Sequence, residues 1–511
     1  MAADRPVVLG VDIGTTSTKV AAVDLDGQVL AVSSAGYPLA EPRPGHAVQD
    51  PERVTGAALA AVAQAVADVG ADRVTGVSVS APLHSLLGLD SRGRPLTPLM
   101  TWADNRATEQ AARVRASAGG LALHRRTGTP IHPMSPLTKL MWWRDNEPEL
   151  TGRVAHWVGI KAYVLNRLCG VLVTDHSVAS STGLLDLSRL QWDTEAMQLA
   201  DVRPEQLGQL VPTTTVLEGL TTEGVEATGL PATTRVVVGA TDGPLANLGV
   251  GAVHPGVAGC TIGTSGALRV MVDRPAVDPE GRVFCYALTE SRWVVGGAVN
   301  NGGVVLDWAG DALAPDLGEH PAEELLRLAA AVPAGSGGLV MLPHLLGERA
   351  PHWSPLMSGA YVGLTRAHRR GHLVRAALEG ASLQIALVLQ SMREAGIPVH
   401  EVRATGGFAR SELWRQLLAD VLGMPVHFPA SPEGSSFGAA LLGMQALGLV
   451  ATIEDAAELV SISSVAVPDP RTTATYASLL PVFADLHDAL GPTFASLRRL
   501  APGLPLSGHQ T

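Results

Sequence analysis

The chain of 511 residues is long enough to form two or more domains, each with a large hydrophobic core. Hydrophobic residues make up 46% of it and charged residues 17%, a composition typical of a folded enzyme and unlike that of disordered or fibrous chains. The formal net charge of −11 argues against nucleic acid as a partner, because nucleic-acid recognition normally needs a basic face.

The chain opens MAADRPVVLG, which has neither the basic segment nor the apolar segment of a signal peptide. It also has no run of about 18 apolar residues, the length that a membrane-spanning helix needs. We therefore expect a cytoplasmic protein that spans no membrane. The three cysteines, Cys169, Cys260 and Cys285, lack the paired spacing of zinc sites, so we expect core residues rather than metal ligands or disulfides.

The first predicted elements are two strands joined by a tight turn, from Val7 to Val32. Gly14 interrupts the apolar run, three hydroxyl residues at 15–17 follow it, and Lys19 comes shortly after. Backbone N–H groups and hydroxyls in such a turn can bind phosphate. An ordinary hairpin with a glycine turn is the alternative interpretation.

Asp12 precedes this turn and would place a carboxylate beside bound phosphates. That is favourable only with a bridging cation, for which Mg²⁺ is the usual choice. Lys19, Lys139 and Lys161 are the only lysines among 37 basic residues. The retention of these three lysines indicates that their positions require a compact ammonium that arginine cannot replace. A general bias toward arginine would produce the same count.

A helix is predicted to begin after Asp50, which can cap it, and to end at Gly70. The following strand, Val74 to Ser80, leads toward His84 at its carboxyl end, where ligands bind in open α/β sheets. The polar segment Thr101 to Arg106 contains one tryptophan and is expected to form the wall of a pocket.

Farther along, Ile131 to Asn146 predicts a proline-interrupted loop followed by a helix. The small residues from Asp175 to Gly183 are interpreted as a loop. The strand Arg235 to Gly239 then delivers Asp242 to the predicted junction of two domains.

The second half of the chain repeats the first loop. Residues Gly256 to Val272 again predict strand, turn and strand, and the turn Ile262-Gly263-Thr264-Ser265 matches Ile13-Gly14-Thr15-Thr16. Because the copies lie about half the chain apart, we predict two domains of similar topology, residues 1–248 and 249–490, followed by a tail at 491–511. Each domain would offer one phosphate loop to a shared cleft.

Three later segments complete the predicted second domain. Gly296 to Trp308 predicts a strand, a glycine turn and a helix start, which suits close approach by a nucleotide. Apolar residues recur at steps of three and four from Val374 to Met392, which favours a core helix. Glu401 to Gly407 predicts a strand that ends in a glycine pair, and Ser411 can cap the next helix.

These segments together resemble the FGGY family of carbohydrate kinases. Ser135-Pro136, Lys139 and Trp142 are similar to the first family signature, from which Trp143 departs, and Gly359 to Glu379 resembles the second. The resemblance implies an α/β fold of two ribonuclease H-like domains of the actin and hexokinase type, with an interdomain cleft. It also implies ATP-dependent phosphoryl transfer to a sugar.

Because the two Ile-Gly-Thr turns repeat each other across the halves of the chain, we predict that Thr15 and Thr264 lie on opposite walls of one ATP site. With ATP and Mg²⁺ as cofactors, the expected metal ligands are Asp12 and Asp242. The residues expected to bind ATP are Thr15, Thr16, Lys19, Thr264, Gly303, Asp307, Gly406, Gly407 and Ser411.

Asp242 is the candidate catalytic base. The chain lacks the P-loop ending GK[ST] and the motifs of protein kinases, so ATP must be held in another way, and two opposed hydroxyl loops supply one. Phosphoryl transfer then needs a carboxylate beside the acceptor hydroxyl, and Asp242 stands at a strand end next to Gly243. A cap for the helix beginning at Pro244 is the alternative role.

The acceptor expected from the resemblance is D-gluconate, because His84-Ser85-Leu86, residues 101–106 and residues 132–136 are similar to the gluconate kinase branch. Leu83 departs from the methionine common there. A sugar acid needs a cation for its carboxylate, and the candidates are Arg106, Lys139 and His84. Arg106 could instead pair only with Asp104. The residues expected to contact the sugar are His84, Trp102, Asp104, Arg106, Lys139 and Asp242. Two alternative functions stay open, a kinase of xylulose or another neutral sugar and a non-catalytic sugar sensor. A homodimer also stays open.

Overall fold

The computed structural model of the protein describes residues 5–318, 321–431 and 434–500. The chain forms two compact units. The first comprises Met1–Pro255, Met271–Val295 and Glu433–Ser461, and the second comprises Gly256–Val270, Gly296–Pro432 and Ile462–Thr511. The units are therefore discontinuous, unlike the predicted domains 1–248 and 249–490.

The strands of the described residues are β1 (Val7–Ile13), β2 (Ser17–Asp24), β3 (Val29–Gly36), β4 (Val48–Gln49), β5 (Val74–Ser80), β6 (Leu87–Leu89), β7 (Leu99–Met100), β8 (His156–Val158), β9 (Val173–Asp175), β10 (Leu185–Asp186), β11 (Gln191–Trp192), β12 (Gln209–Val211), β13 (Val216–Glu218), β14 (Arg235–Val237), β15 (Val257–Ile262), β16 (Gly266–Val272), β17 (Phe284–Thr289), β18 (Arg292–Val299), β19 (Val340–Leu342), β20 (Ala360–Val362), β21 (Glu401–Thr405), β22 (Val426–Pro429) and β23 (Ile462–Ala466).

The α-helices of the same residues are α1 (Pro51–Val69), α2 (Thr108–Ala116), α3 (Gly120–Thr127), α4 (Pro136–Asn146), α5 (Pro148–Thr151), α6 (Ile160–Cys169), α7 (His176–Ser180), α8 (Thr194–Ala200), α9 (Thr222–Thr228), α10 (Asp242–Gly249), α11 (Val304–Leu313), α12 (Ala322–Ala330), α13 (Arg370–Glu394), α14 (Glu412–Leu422), α15 (Gly434–Ala446), α16 (Ile453–Ala457) and α17 (Pro470–Leu500).

The two large sheets share one strand pattern. A six-stranded sheet has the order β13-β14-β5-β1-β2-β3, and a seven-stranded sheet has the order β17-β18-β16-β15-β21-β22-β23. In both, a hairpin carrying an Ile-Gly-Thr turn (β1 with β2, β15 with β16) is followed by two strands parallel to its first strand. The repeated topology predicted from the two turns is confirmed.

Helix α1 shows how local sequence signals determine an element. The Asp50 carboxylate accepts the backbone N–H of Glu52 at 2.9 Å, and Gly70 adopts a φ of +91° just past the last turn. Because residues with a Cβ rarely adopt that φ, the glycine ends the helix. Its apolar stripe, which includes Val54, Ala58 and Val62, is buried, as predicted.

Helix α15 belongs to the first unit because it packs on β1 and α10. A Cβ built on Gly438 would lie 1.9 Å from the carbonyl oxygen of Leu245, and a Cβ on Gly249 would lie 1.9 Å from that of Gly434. Only hydrogen at both positions permits so close an approach of two helix backbones. This packing brings a segment from late in the chain against the helix that begins at Asp242.

Helix α13 is the one described helix whose length and hydropathy would suit a membrane span, and 89% of its most apolar window is buried inside the fold. Val374, Leu378, Ile385 and Val388 are each at most 1% exposed. The predicted role of this stripe as core is confirmed.

Two sequence interpretations need correction. The segment predicted as a loop at 175–183 contains helix α7, because Asp175 caps it and its small side chains allow complete burial. In the predicted tail 491–511, residues up to Leu500 continue α17, and Phe494 packs in the same core cluster as Phe483. Residues 501–511 lie outside the described residues.

Candidate active site

The first Ile-Gly-Thr turn joins β1 to β2. The backbone N–H of Gly14 donates to the carbonyl oxygen of Ser17 at 3.0 Å and closes the turn. Thr16 and Lys19 are exposed, whereas Thr15 is half-buried. Hydroxyl and ammonium groups are thus presented at the carboxyl end of β1, an arrangement suited to an anion.

Residues distant in the chain hold this turn in place. The indole N–H of Trp102 donates to Thr15 Oγ1 at 2.9 Å, and the Gln49 side-chain amide donates to the Thr15 carbonyl at 2.7 Å. The Tyr37 hydroxyl donates to the Gly14 carbonyl at 2.7 Å, and burial raises the pKa of this phenol to about 12. Trp102, predicted as a sugar residue, therefore also orients the phosphate turn.

Asp12 lies near the end of β1 and Asp242 follows β14, and β5 lies between these two strands. Asp12 stands opposite Ser80 in the pairing of β1 with β5, and the Ser80 hydroxyl donates to Asp12 Oδ1 at 2.7 Å. Ala81, the next residue, accepts the backbone N–H of Asp242 at 3.0 Å. Because neighbouring strands are about 5 Å apart, the backbones of the two acids lie about two strand spacings apart, at the carboxyl ends of β1 and β14.

Asp242 is the first residue of α10, and Thr241 is the residue at the capping position. Asp242 Oδ1 accepts the backbone N–H of Gly243 at 2.8 Å. Helix α10 therefore begins before Pro244, and Asp242 lies in its first turn rather than at the capping position that the alternative interpretation gave it. Because a carboxylate has two oxygens that can each accept several hydrogen bonds, a second role in chemistry is compatible with this contact.

The donor set suits Mg²⁺. Carboxylate oxygens are its preferred protein ligands, and it is commonly held by one or two carboxylates together with water and phosphate. The described residues contain no group of three or more His, Cys, Asp or Glu side chains placed to hold a metal. The carboxylates of Asp12 and Asp242 are of the ligand type that Mg²⁺ prefers, and their role as metal ligands stays a prediction.

His84 occupies a strained position at the centre of the predicted sugar residues. Its φ is +65°, a region that residues with a Cβ rarely adopt and that is enriched at functional sites. Its Nδ1 lies 2.8 Å from the Ser181 carbonyl oxygen, and its Nε2 lies 3.4 Å from the Tyr286 hydroxyl. Tyr286, which sequence reasoning missed, thereby belongs to the same buried cluster.

Lys139 is completely buried beneath this cluster. Its ammonium donates to the carbonyl oxygens of His84 and Thr101, both at 2.7 Å. Burial lowers the pKa of this lysine to about 7, an effect opposed by the negative charge of Asp104. Lys139 thus joins the two segments that carry the predicted sugar residues.

Arg106 and Asp104 form a buried ion pair. The Arg106 side chain is 6% exposed and that of Asp104 is 0% exposed, with Nη2 at 2.7 Å and Nε at 2.9 Å from the carboxylate oxygens. The guanidinium also lies over the Trp142 ring, 4.9 Å from its centroid. The alternative pairing considered for Arg106 is therefore present in the structure.

We predict that Arg106→Met lowers the free energy of unfolding by about 3 kcal/mol, because the Asp104 carboxylate loses its cation while it stays buried. Urea unfolding followed by tryptophan fluorescence measures the change. The double variant Asp104→Asn/Arg106→Met removes both charges and should recover part of the loss. Equal stabilities of the single variant and the wild-type protein would contradict the prediction.

The second Ile-Gly-Thr turn, between β15 and β16, is tighter than the first. The Gly263 N–H donates to the Ser265 carbonyl at 2.9 Å, and the Thr264 carbonyl accepts the Gly302 N–H at 3.0 Å. A Cβ on Gly303 would lie 2.8 Å from the Gly263 carbonyl oxygen. The glycine turn before α11 therefore packs directly on the second phosphate loop.

The remaining residues predicted to bind ATP flank this loop. Gly406 has a φ of +117°, and a Cβ there would lie 2.3 Å from the carbonyl oxygen of Ile262. Ser411 caps α14 by accepting the backbone N–H of Trp414 at 3.3 Å. Asp307 lies in the first turn of α11, where desolvation and the neighbouring Asp311 raise its carboxyl pKa.

A cavity of about 230 Å³ lies beside Trp308, the residue after Asp307. The other residues that line it are Met341, His344, Leu345, Ser358, Gly359, Ala360 and Tyr361. Its walls come from α11, β19, β20 and the loop between these two strands, so no local sequence pattern predicts it. No short motif connects these elements.

The chain has clear relatives. The description "FGGY family of carbohydrate kinases" matches its N-terminal domain at residues 7–249 and its C-terminal domain at 258–447. The Gluconokinase of Bacillus subtilis (strain 168) is 39% identical over 505 residues, which are 97% of this chain and 98% of that protein. The solved gluconate kinase from Lactobacillus acidophilus has a TM-score of 0.92 and 35% identity, covering 96% of this chain and 100% of its own. The ligand bound xylulose kinase from the same species has the same values.

This chain belongs to the FGGY family of carbohydrate kinases. It has the two-domain α/β fold of these sugar kinases, so the predicted family and fold class are confirmed. Its acceptor is a small-molecule sugar.

Proposed function

We propose that the protein transfers the γ-phosphoryl group of ATP to the terminal hydroxyl of D-gluconate, giving 6-phospho-D-gluconate and ADP. The observation that carries this proposal is the similarity to the Bacillus subtilis protein named Gluconokinase, which extends over 97% of the chain. The cytoplasmic location and the choice between a monomer and a homodimer stay predictions.

In the proposed mechanism Asp242 accepts the proton of the C6 hydroxyl. A bond forms between that oxygen and the γ-phosphorus as the bond from the γ-phosphorus to the β,γ-bridging oxygen breaks, and ADP leaves with the electron pair. The start of α10 supports this role because it fixes the carboxylate at the end of a strand. A positioned carboxylate also orients the attacking oxygen for in-line displacement.

The phosphates would be held by Thr15, Thr16 and Lys19 in the first turn and by the second Ile-Gly-Thr turn with its neighbouring glycines. Mg²⁺, held by Asp12 and Asp242, would neutralise charge on the transferring group when bound. That Thr15 and Thr264 bind one nucleotide stays a prediction.

We further propose that Arg106 binds the gluconate carboxylate. Asp104 engages Nε and Nη2, and no described residue accepts a hydrogen bond from Nη1. Asp104 would therefore orient the guanidinium while leaving one nitrogen for the substrate. Lys139, by contrast, donates to two backbone carbonyls and would act by holding the site together.

The test is to measure kcat/KM for D-gluconate, D-xylulose, L-ribulose and glycerol with a coupled ADP assay. We predict that gluconate exceeds every neutral sugar by at least about 100-fold, because a neutral ligand offers no carboxylate to the Arg106 nitrogen that Asp104 does not engage. Asp104→Asn/Arg106→Met should raise the KM for gluconate more than the KM for any neutral sugar. An unchanged KM for gluconate in this variant would restrict Arg106 to a structural role.

A kinase of D-xylulose is the second candidate, because the solved xylulose kinase from Lactobacillus acidophilus is as similar to the chain as the gluconate kinase from that species. A preference for D-xylulose in the same panel would establish this alternative and overturn the gluconate proposal.

A further inference from the structure

A buried lysine, Lys161, forms a hydrogen bond with the backbone segment that leads to Asp242. Lys161 lies on α6 and its side chain is 2% exposed. Its ammonium donates to the Ala240 carbonyl oxygen at 2.9 Å and pairs with Asp175 Oδ2 at 2.8 Å. Ala240 is two residues before the proposed base, so the tether acts on the segment that carries it.

Asp175 connects this tether to α7. Its Oδ1 caps that helix by accepting the backbone N–H of Val178 at 3.0 Å. The Ser177 hydroxyl, in the first turn of the same helix, accepts the backbone N–H of Thr241 at 3.1 Å and lies 2.8 Å from Thr241 Oγ1. Residues 240 and 241 are thus held at a carbonyl, an amide and a hydroxyl.

The charge of Lys161 also bears on this region. Burial lowers its pKa, while the negative charges of Asp175 and Asp242 oppose that effect. A lysine is required here because its point charge fits between a carbonyl and a carboxylate, whereas a guanidinium has five donors in a planar group. This explains one of the few lysines in a chain rich in arginine.

We propose that Lys161 is a positioning residue for phosphoryl transfer. It holds the segment Ala240–Asp242 so that the Asp242 carboxylate stays oriented toward the acceptor hydroxyl. The proposal rests on the proposed function, with Asp242 as the base. Displacing a reacting group by about 1 Å can cost on the order of 100-fold in rate, so the tether has a measurable effect on kcat.

The experiment compares Lys161→Met, Asp175→Asn and the double variant Lys161→Met/Asp175→Asn. Lys161→Met leaves Asp175 buried without its cation, and both Tm and kcat should fall. The double variant removes both charges while the asparagine side chain can still cap α7, so Tm should recover relative to Lys161→Met. Its kcat should stay about 10-fold to 100-fold below wild type with the KM for ATP unchanged, since the Ala240 tether is absent.

Arg126→Met is the matched control. Asp193 caps α8 through the backbone N–H of Ala196 at 2.8 Å and pairs with Arg126 Nε at 2.8 Å, so here too a cation pairs with a helix-capping aspartate, at a side chain that is 32% exposed. This control should lower Tm and leave kcat within about twofold. It separates a general loss of stability from loss of position at Asp242.

Wild-type kcat in the double variant, measured with the sugar that the wild-type protein uses best, would overturn the positioning role alone. An equal kcat loss in Arg126→Met would also overturn it, because the effect would then follow stability. If the wild-type protein turns over no sugar in the panel, the proposed function and this inference both fail.

Discussion

Asp242→Asn is expected to lower kcat on the order of 100-fold or more while the affinity for ATP stays within about twofold of wild type. The amide retains the size of the side chain and an oxygen to accept the Gly243 N–H, so α10 still begins normally. The amide cannot take up the proton of the sugar hydroxyl, and removal of a general base typically lowers kcat by about 100-fold or more. Initial rates with gluconate measure kcat, and titration with a fluorescent ATP analogue measures binding.

Asp201→Asn is a suitable control for the loss of one carboxylate, because Asp201 is an exposed residue just past α8. Its kcat should equal that of the wild-type protein. Near-wild-type turnover in Asp242→Asn, with the fold intact by circular dichroism, would remove Asp242 from the mechanism.

Gly438→Ala is expected to destabilise the first unit by about 3 kcal/mol. The added methyl group would lie 1.9 Å from the Leu245 carbonyl oxygen and 3.0 Å from the Gly249 backbone nitrogen, so α15 must move away from α10. Overpacking between rigid backbones costs about this much. Because α10 begins at Asp242, kcat should fall as well.

Gly56→Ala is the matched helix control. Gly56 lies in the exposed part of α1, and a Cβ there would meet nothing within 4 Å. Alanine at this position should raise stability by about 0.5–1 kcal/mol, because glycine loses more conformational entropy on forming a helix. Thermal unfolding of both variants gives the comparison, and a Gly438→Ala protein as stable as the wild type would disprove the tight packing.

Local signals in the chain were sufficient for the elements that carry the site. Asp50 and Gly70 defined α1 at both ends, since capping and a positive φ are decided within a few residues. The repeated Ile-Gly-Thr turns predicted two sheets of like topology, which the strand orders confirm. The family signatures predicted the kinase family, because glycine turns and strand-end acids recur at recognisable spacings.

Contacts between distant segments were decided only by the tertiary structure. Trp102 donates to Thr15 across 87 residues of chain, and Lys161 reaches the Ala240 carbonyl across 79. Neither contact has a local pattern, because a hydrogen bond depends on where whole strands and helices are packed. The return of α15 to the first unit was missed for the same reason.

The sequence by itself determined the strands of the two Ile-Gly-Thr hairpins, the caps of α1, the repetition of the turns and the candidate carboxylates, since each depends on backbone preferences and burial over a few residues. Only the tertiary structure decided which charges are paired. Arg106 pairs with Asp104, the alternative that the sequence left open, and the ammonium of Lys139 donates to two carbonyl oxygens, while the sugar contacts of these residues stay predictions. The physical reason is that a buried charge must be compensated by whichever partner the packing brings near it.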